Sequence, residues 1–450
     1  MSERSLLAKY SGAVPRYTSY PTAPHFHEGI GCDIYAQWLG ELTERDTLSL
    51  YVHIPYCDRL CWFCACHTKH TLKYEPIANY LKSLMKEISA VGARVSSNAK
   101  VTAVHFGGGS PTMLDPADMI MVMNALRTAF TFADDAEISV EMDPNDLDEA
   151  RYDGLAAIGM TRASLGVQDF DPKVQKTINR IQTFEQTKSV ADAVRARGVH
   201  SVNCDILYGL PYQTLDTLKE TVSDIISLAP DRIALFGYAH VPWMKKHQTM
   251  IPEEALPGVE ERYTQMKTAA AMLVEAGYQP IGIDHFGKPD DKLAMAARNG
   301  TMRRNFQGYT DDQATALIGF GASSIGQLPQ GYVQNMVATG EYERMAQGQG
   351  LTAIRGIALS EEDKMRSHVI ERIMCDFAFD FATVKEKFGA MADDVIAEAR
   401  QFARTNQDGL CVVTDEGFVL TETGKPLART MASIFDAYLG NGKGRHSIAV

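Results

Sequence analysis

Apolar runs alternate with amphipathic stretches six times between residues 48 and 277. The apolar runs are rich in β-branched and aromatic residues, which favours strands. They lie at Leu48–Ile54, Val101–Phe106, Glu137–Met142, Arg162–Asp169, Val202–Tyr208 and Arg232–Tyr238. The stretches that follow them have helical spacing and lie near 74–95, 115–130, 146–159, 184–198, 214–229 and 258–277. Strands that alternate with helices predict a parallel sheet.

Six units are two short of a closed eightfold barrel, a fold whose sites form at the carboxyl ends of the strands. Residues that could take part in binding or catalysis lie at these ends in this chain too. They are a cysteine-rich loop after the first run, Gly107–Pro111 after the second, Glu141, Gln168, Asp205 within the fifth run, and Tyr238–His240. Because chance would scatter such residues along the units, their positions predict a single site at one edge of the sheet.

An N-terminal arm and a C-terminal region flank this core. The arm extends to about residue 45, and prolines bracket its tyrosines between Pro15 and Pro24, which predicts an extended segment that can reach a site. From about residue 345 the chain is mostly helical and charged, with a short hairpin predicted at Val412–Thr414 and Phe418–Leu420. We therefore predict an arm at 1–45, a barrel at 46–285, a substrate-side extension at 286–345 and a mainly helical domain at 346–450.

Composition limits the classes of protein to consider. With 45% hydrophobic and 22% charged residues, the chain is typical of a soluble protein. Residues 313–340 carry no charge but contain many polar residues, which argues against a membrane span. The net charge of −12 argues against a nucleic-acid binder. An anionic substrate would need a local cationic patch to counter this charge.

Cys57, Cys61 and Cys64 are spaced as Cys-x3-Cys-x2-Cys. Three thiolates on one loop can bind three irons of a 4Fe–4S cluster and leave the fourth iron without a protein ligand. A zinc site is the alternative on this loop alone, with Cys66 or a nearby histidine as the fourth ligand. Eight cysteines, three of them needed as thiolates, favour a reducing cytoplasm.

The cysteine spacing, the aromatic residue before the third cysteine and the Gly-Gly-Gly-Ser-Pro-Thr segment after the second strand resemble the radical S-adenosylmethionine (SAM) superfamily. The resemblance implies that the open iron binds SAM and that an electron from the cluster cleaves it to a 5′-deoxyadenosyl radical. It also implies an open partial (β/α)6 barrel of radical SAM type. Ser110 departs from the threonine of the family pattern, which leaves the turn unaffected.

Further segments resemble the oxygen-independent coproporphyrinogen III oxidases within this superfamily. These segments lie at 15–23, 64–66, 168–170, 179–182, 236–248, 284–291 and 304–309. The resemblance implies two bound SAM molecules. It assigns the first to Tyr51, Phe63, Gly107, Glu141 and Ile325, and the second to Gly108, Gly109, Gln168, Arg180, Asp205 and Ala239.

The same resemblance implies the reaction and the partners. Two propionates of coproporphyrinogen III become vinyl groups, which gives protoporphyrinogen IX for haem synthesis. An electron donor and an acceptor take part, neither of which the sequence identifies, and we expect a cytoplasmic monomer. Cationic candidates for the substrate carboxylates are Arg16, Lys245, Lys246, Arg303 and Arg304. The alternative is a haem-binding chaperone built on the same radical SAM frame.

Overall fold

Strands and helices alternate along most of the chain. The computed structural model describes residues 6, 9–10, 12–145 and 147–440. Its strands are β1 (Thr47–Ile54), β2 (Tyr56–Cys57), β3 (Lys69–His70), β4 (Lys100–Gly108), β5 (Thr131–Met142), β6 (Arg162–Gln168), β7 (Ser201–Tyr208), β8 (Arg232–Gly237), β9 (Gln279–Ile281), β10 (His285–Gly287), β11 (Arg303–Asn305), β12 (Gly308–Thr310), β13 (Ala316–Phe320), β14 (Ile325–Leu328), β15 (Gly331–Asn335), β16 (Ala353–Ala358), β17 (Ala378–Asp380), β18 (Cys411–Val413) and β19 (Gly417–Leu420).

The helices occupy the segments between these strands and most of the C-terminal region. They are α1 (Cys32–Gly40), α2 (Glu75–Gly92), α3 (Pro116–Ala129), α4 (Glu149–Ala157), α5 (Pro172–Thr177), α6 (Phe184–Ala196), α7 (Leu215–Leu228), α8 (Val259–Glu275), α9 (Lys292–Arg298), α10 (Thr339–Gln349), α11 (Glu361–Asp376), α12 (Phe381–Phe388), α13 (Ala392–Thr405) and α14 (Ala428–Ala432). In the part of the chain that the structure describes, no helix is both long and apolar enough to cross a membrane.

The large sheet has twelve strands in the order β16-β15-β14-β13-β1-β4-β5-β6-β7-β8-β10-β9. The strands β1, β4, β5, β6, β7 and β8 lie parallel to one another, which confirms the six predicted strands. The sheet stays open, since β16 and β9 are its two edges. All six predicted helices are present, with ends that differ by no more than a few residues.

A seventh parallel strand was not predicted. β13 pairs in parallel with β1 on the side opposite β4, and β14, β15 and β16 continue the sheet in antiparallel pairs. Both β13 and β15 are buried along their whole length. They belong to the uncharged segment 313–340, whose glycines interrupt the apolar runs and conceal the strands in the sequence. Part of the segment expected to form a separate extension therefore continues the sheet.

Alternation along each strand separates the hydrophobic core from the functional face. In β1 the side chains of Leu48, Leu50, Val52 and Ile54 join the main core, which the flanking helices complete. The residues between them, including Tyr51 and His53, point to the opposite face because successive side chains of a strand alternate. The same period places Glu141 and Asp205 on that face, since their strand neighbours Val140 and Cys204 belong to the core.

A second hydrophobic core unites the C-terminal region with the N-terminal arm. Tyr17 and Tyr20 of the arm pack among residues of α11, α13, β19 and α14. The predicted hairpin is confirmed as the antiparallel pair β18 and β19, and β17 adds a third strand. The arm is therefore anchored by its tyrosines instead of lying free along the surface.

Candidate active site

Four cysteines lie on the segment from β2 to β3, which we call the cysteine loop (residues 57–66). Cys61 is buried, Cys57 and Cys64 are half-buried, and Cys66 is exposed. Burial raises the pKa of the Cys57 thiol, and the neighbouring Cys64 and Cys61 raise it further. The three predicted iron ligands therefore stand within electrostatic reach of one another.

The thiols of the cysteine loop do not converge on one point. Among the described residues, no three His, Cys, Asp or Glu side chains converge tightly enough to hold one ion. Zinc needs about four ligands around one centre, whereas cluster thiolates bind different irons and stand farther apart. Hydrogen bonds from the Cys66 thiol and its backbone N–H lower the pKa of Cys64 to about 7. This favours the thiolate form that binds iron.

Two other segments hold the cysteine loop in place. On one side, the loop between α5 and α6 contacts it through Ile178 and Asn179. On the other, the segment after β8 donates three side-chain hydrogen bonds to its carbonyls. These bonds are Lys245 Nζ to Cys66 O at 2.8 Å, His247 Nε2 to Cys64 O at 2.7 Å and Gln248 Nε2 to Phe63 O at 2.8 Å. Trp62 N donates to Ile178 O and Asn179 Nδ2 to Leu60 O, both at 2.9 Å.

The predicted glycine turn ends β4 against Glu141. The Gly108 N–H donates to Glu141 Oε2 at 3.0 Å. Gly108 has φ +111°, and a Cβ there would lie 2.6 Å from the ring of His53. A Cβ on Gly107 would lie 2.8 Å from Glu141 Oε1. Only glycine allows the backbone to approach the side chains of His53 and Glu141 so closely.

Two histidines hold Tyr51 and Glu141 in fixed orientations. His53 Nε2 lies 2.9 Å from the carbonyl oxygen of His67, which can only accept, so Nε2 carries the proton. His53 Nδ1 then accepts from the Tyr51 hydroxyl at 3.0 Å. Burial lowers the pKa of His53, which keeps the ring neutral. The Tyr51 ring stacks on His105, whose Nε2 lies 3.1 Å from Glu141 Oε1.

Arg180 connects the cysteine loop with the ends of β5 and β6. Its Nη1 forms an ion pair with Asp143 Oδ2 at 3.0 Å and lies 3.8 Å from Cys61 Sγ. Its Nη2 donates to the carbonyl oxygen of Gly166 at 2.6 Å. The Nε atom is buried without a hydrogen-bond partner, so one donor remains for a ligand. Sequence reasoning missed Asp143, although its position two residues after Glu141 could have indicated it.

Gln168 ends β6, and Asp205 lies on the neighbouring strand β7. Gln168 has φ +72° at a register shift between β6 and β7, a strained conformation for a non-glycine residue. Asp205 accepts from Asn203 Nδ2 at 2.8 Å. Burial raises the pKa of Asp205 to about 6 against the opposing effect of Asn203, and the charge of Glu141 also raises it. Glu141 and Asp205 therefore face the same space.

Two more predicted residues, Ala239 and Ile325, lie at opposite ends of this face. Ala239 follows β8, and its carbonyl oxygen accepts from Gln248 Nε2 at 3.2 Å, the same amide that bonds Phe63. Ile325 begins β14. A Cβ on Gly319, the sheet partner of Tyr51, would lie 3.1 Å from the Ile325 carbonyl oxygen. The structure thus places both residues beside other predicted site residues.

Comparison with known proteins agrees with this geometry. Residues 51–225 match the radical SAM superfamily, and residues 359–427 match the HemN C-terminal domain. The solved structure of coproporphyrinogen III oxidase (HemN) from Escherichia coli, a radical SAM enzyme, is 37% identical, with a TM-score of 0.91 over 97% of this chain and 99% of that chain. The fold is that of a radical SAM protein.

The similarity to individual relatives extends along the whole chain. Oxygen-independent coproporphyrinogen III oxidase of Paracoccus denitrificans is 45% identical over 449 residues, which cover 100% of this chain and 99% of the relative. The Escherichia coli protein of the same name is 39% identical over 436 residues, covering 97% and 95%. The chain belongs to the family of oxygen-independent coproporphyrinogen III oxidases.

Proposed function

We propose that this protein converts two propionates of coproporphyrinogen III to vinyl groups without oxygen, which gives protoporphyrinogen IX. The observation that carries the proposal is the full-length relationship to enzymes named for this substrate. The haem-chaperone alternative is not favoured, because relatives that match the whole chain bear the oxidase name.

We further propose that Cys57, Cys61 and Cys64 hold a 4Fe–4S cluster. When bound, the cluster supplies the electron that cleaves SAM, and SAM supplies the radical that takes a hydrogen from the propionate β-carbon. The position of all three thiols on one short loop, buried or half-buried, supports this assignment. The segment 245–248 keeps the loop rigid through its bonds to three loop carbonyls.

The proposal divides the remaining site residues between two SAM molecules. Tyr51, Phe63, Gly107, Glu141 and Ile325 bind the first, and Gly108, Gly109, Gln168, Arg180, Asp205 and Ala239 bind the second. Two propionates each lose a hydrogen, so at least two SAM molecules are consumed for each product. The Gln248 amide donates to the carbonyl oxygen of Phe63 from the first set and to that of Ala239 from the second. This shared donor supports two adjoining SAM sites.

The two acidic residues have separate roles in this proposal. Glu141 is oriented by His105 and the Gly108 N–H, and its carboxylate can accept from the amino group of SAM. Asp205 is oriented by Asn203 and can accept from a ribose hydroxyl or a second amino group. We propose that the protein acts as a cytoplasmic monomer with a one-electron donor and an acceptor for the electron left after decarboxylation.

Anaerobic incubation with coproporphyrinogen III, SAM and dithionite tests the function. We expect protoporphyrinogen IX, with at least two methionines released for each product. Cys57→Ser serves as the inactive control. Haem binding with no decarboxylation by the reconstituted wild type would contradict the proposal and favour a chaperone.

A further inference from the structure

Four arginines lie close together at the N-terminal arm. They are Arg16 of the arm itself, Arg262 of α8, Arg304 of β11 and Arg429 of α14. Arg304 of β11 donates through Nη2 to the carbonyl oxygen of Arg16 at 3.2 Å. Arg429 of α14 donates through Nη2 to Val14 O at 2.6 Å and through Nε to Pro15 O at 3.2 Å. The backbone of residues 14–16 is thus held between the two guanidinium groups.

The fourth arginine, Arg262 of α8, lies close to the same place. Its guanidinium carbon is 5.8 Å from the ring centroid of Tyr208, and the positive charge of Arg16 contributes, after burial, to lowering the pKa of Arg262. Burial lowers the pKa of Arg16, and the neighbouring Arg304 lowers it further, against the opposing effect of Asp284. Burial, followed by Arg16 and Arg304, lowers the pKa of Arg429 to about 10. The cluster therefore carries an excess of positive charge.

These side chains remain accessible to solvent. Arg16 is exposed, and the other three arginines are half-buried. Each of the four side chains therefore keeps some surface that a ligand in solution can reach.

The arginine cluster adjoins the candidate active site. A Cβ on Gly237, which ends β8, would lie 3.2 Å from Arg262 Nη2, so this guanidinium lies at the carboxyl ends of the strands. Tyr208, beneath Arg262, ends the strand that carries Asp205. Arg304 lies 4.4 Å from the ring centroid of Tyr309, which in turn packs against His285 beside Asp284.

The structure also distinguishes between the cations that the sequence indicated. Arg303 is paired with Glu371 at 3.1 Å, and Lys245 bonds the carbonyl oxygen of Cys66. Arg16 and Arg304 instead contribute to the cluster of four. Asp284 is the carboxylate that acts on both Arg16 and Arg429, and it already accepts a hydrogen bond from His285 at 2.7 Å.

We propose that Arg16, Arg262 and Arg304 bind the carboxylates of the substrate, and that Arg429 positions Arg16 by holding the arm. The inference rests on the proposed function, which supplies an anion with four carboxylates. Guanidinium groups bind carboxylates through two parallel hydrogen bonds and keep their charge when partly buried. The C-terminal domain thus contributes to the substrate site through Arg429 and through the core that anchors Tyr17 and Tyr20.

Binding of coproporphyrin III, the stable oxidised form of the substrate, tests the proposal on the full chain without its cluster. We expect Arg16→Gln and Arg262→Gln each to weaken binding about tenfold or more, measured by porphyrin fluorescence. Arg16→Lys retains a charge and should lose less. Arg344→Gln, which changes an exposed arginine on α10, is the matched control and should bind as the wild type does.

Reconstituted enzyme separates this proposal from the function on which it rests. We expect Arg16→Gln to raise the KM for coproporphyrinogen III while the cluster absorbance and the thermal unfolding midpoint stay unchanged. Wild-type porphyrin binding by both Arg16→Gln and Arg262→Gln, in a protein whose wild type converts coproporphyrinogen III, would overturn the carboxylate site and leave the function intact. A wild type that neither binds coproporphyrin III nor converts the substrate would instead refute the function.

Discussion

The buried Arg180 forms an ion pair with the half-buried Asp143, with 3.0 Å between Nη1 and Oδ2. The same nitrogen lies 3.8 Å from the Cys61 sulfur. One guanidinium therefore joins the end of β5 to the cysteine loop. A change at this pair is expected to affect both the stability of the fold and the binding of a ligand at the unpaired Nε atom.

The first prediction concerns this pair. Arg180→Ala leaves the half-buried Asp143 carboxylate without its partner, which costs about 1–3 kcal/mol of unfolding free energy. The double variant Arg180→Gln with Asp143→Asn removes both charges and should lose clearly less stability. Urea unfolding of the cluster-free proteins measures the difference. Equal losses in the two variants would show that the ion pair is not what stabilises this junction.

Iron content separates the roles of the four cysteines. Replacing Cys57, Cys61 or Cys64 by serine should abolish the cluster, because each is proposed to bind a different iron. Cys66→Ser should retain it, since its backbone N–H still reaches the Cys64 sulfur. Iron and sulfide are measured after anaerobic reconstitution. Full loss of iron in Cys66→Ser would favour a site with four cysteine ligands.

Gly108→Ala should lower the free energy of unfolding more than the matched substitution Gly277→Ala. Both glycines have positive φ, +111° and +93°, so both variants suffer backbone strain of about 1–2 kcal/mol. Only Gly108 has a side chain in the path of the new Cβ, the His53 ring at 2.6 Å, whereas Gly277 faces open space. We expect a greater loss of unfolding free energy in Gly108→Ala, with weaker SAM binding measured by calorimetry. Equal effects would show that the approach to His53 is unimportant.

We expect Asp205 to lower the stability of the folded protein and to be needed for product formation at limiting SAM. Burial raises the pKa of its carboxyl to about 6, so the folded state favours the protonated form. Its contribution to the free energy of unfolding is therefore most favourable at acidic pH and is lost as the pH rises from about 4 to about 6. Asp205→Asn removes this cost and should stabilise the SAM-free protein by about 1–3 kcal/mol at pH 7.5.

The gain should shrink as the pH falls from about 6 and vanish below about pH 3, where the carboxyl is protonated in both the folded and the unfolded state. Asp205→Asn should nevertheless lose product formation at limiting SAM with its cluster intact. Thermal unfolding across pH, and product yield against SAM concentration, measure the two effects. A variant with wild-type activity at limiting SAM would refute the second SAM site at Asp205.

The pattern of apolar residues was enough to predict the central fold. Buried parallel strands need near-continuous apolar runs, and the six runs from Leu48 to Tyr238 are long and separated by clear helical patterns. The strand β13 was missed because Gly319 and the glycines after it interrupt an apolar segment that reads as irregular. Its partner is β1, more than 260 residues earlier, and no local pattern shows such a pairing.

Some residues of the candidate site could likewise be identified from the sequence, and others only from the tertiary structure. Spacing alone selected Cys57, Cys61 and Cys64, since three thiolates on a short loop are a local feature of the chain. The resemblance to a known family assigned residues such as Glu141 and Asp205 to SAM. Only the tertiary structure revealed Asp143 beside Arg180, because an ion pair joins residues from separate elements. It alone also brought Arg16 to Arg262, Arg304 and Arg429, which depends on how the C-terminal core folds back onto the arm.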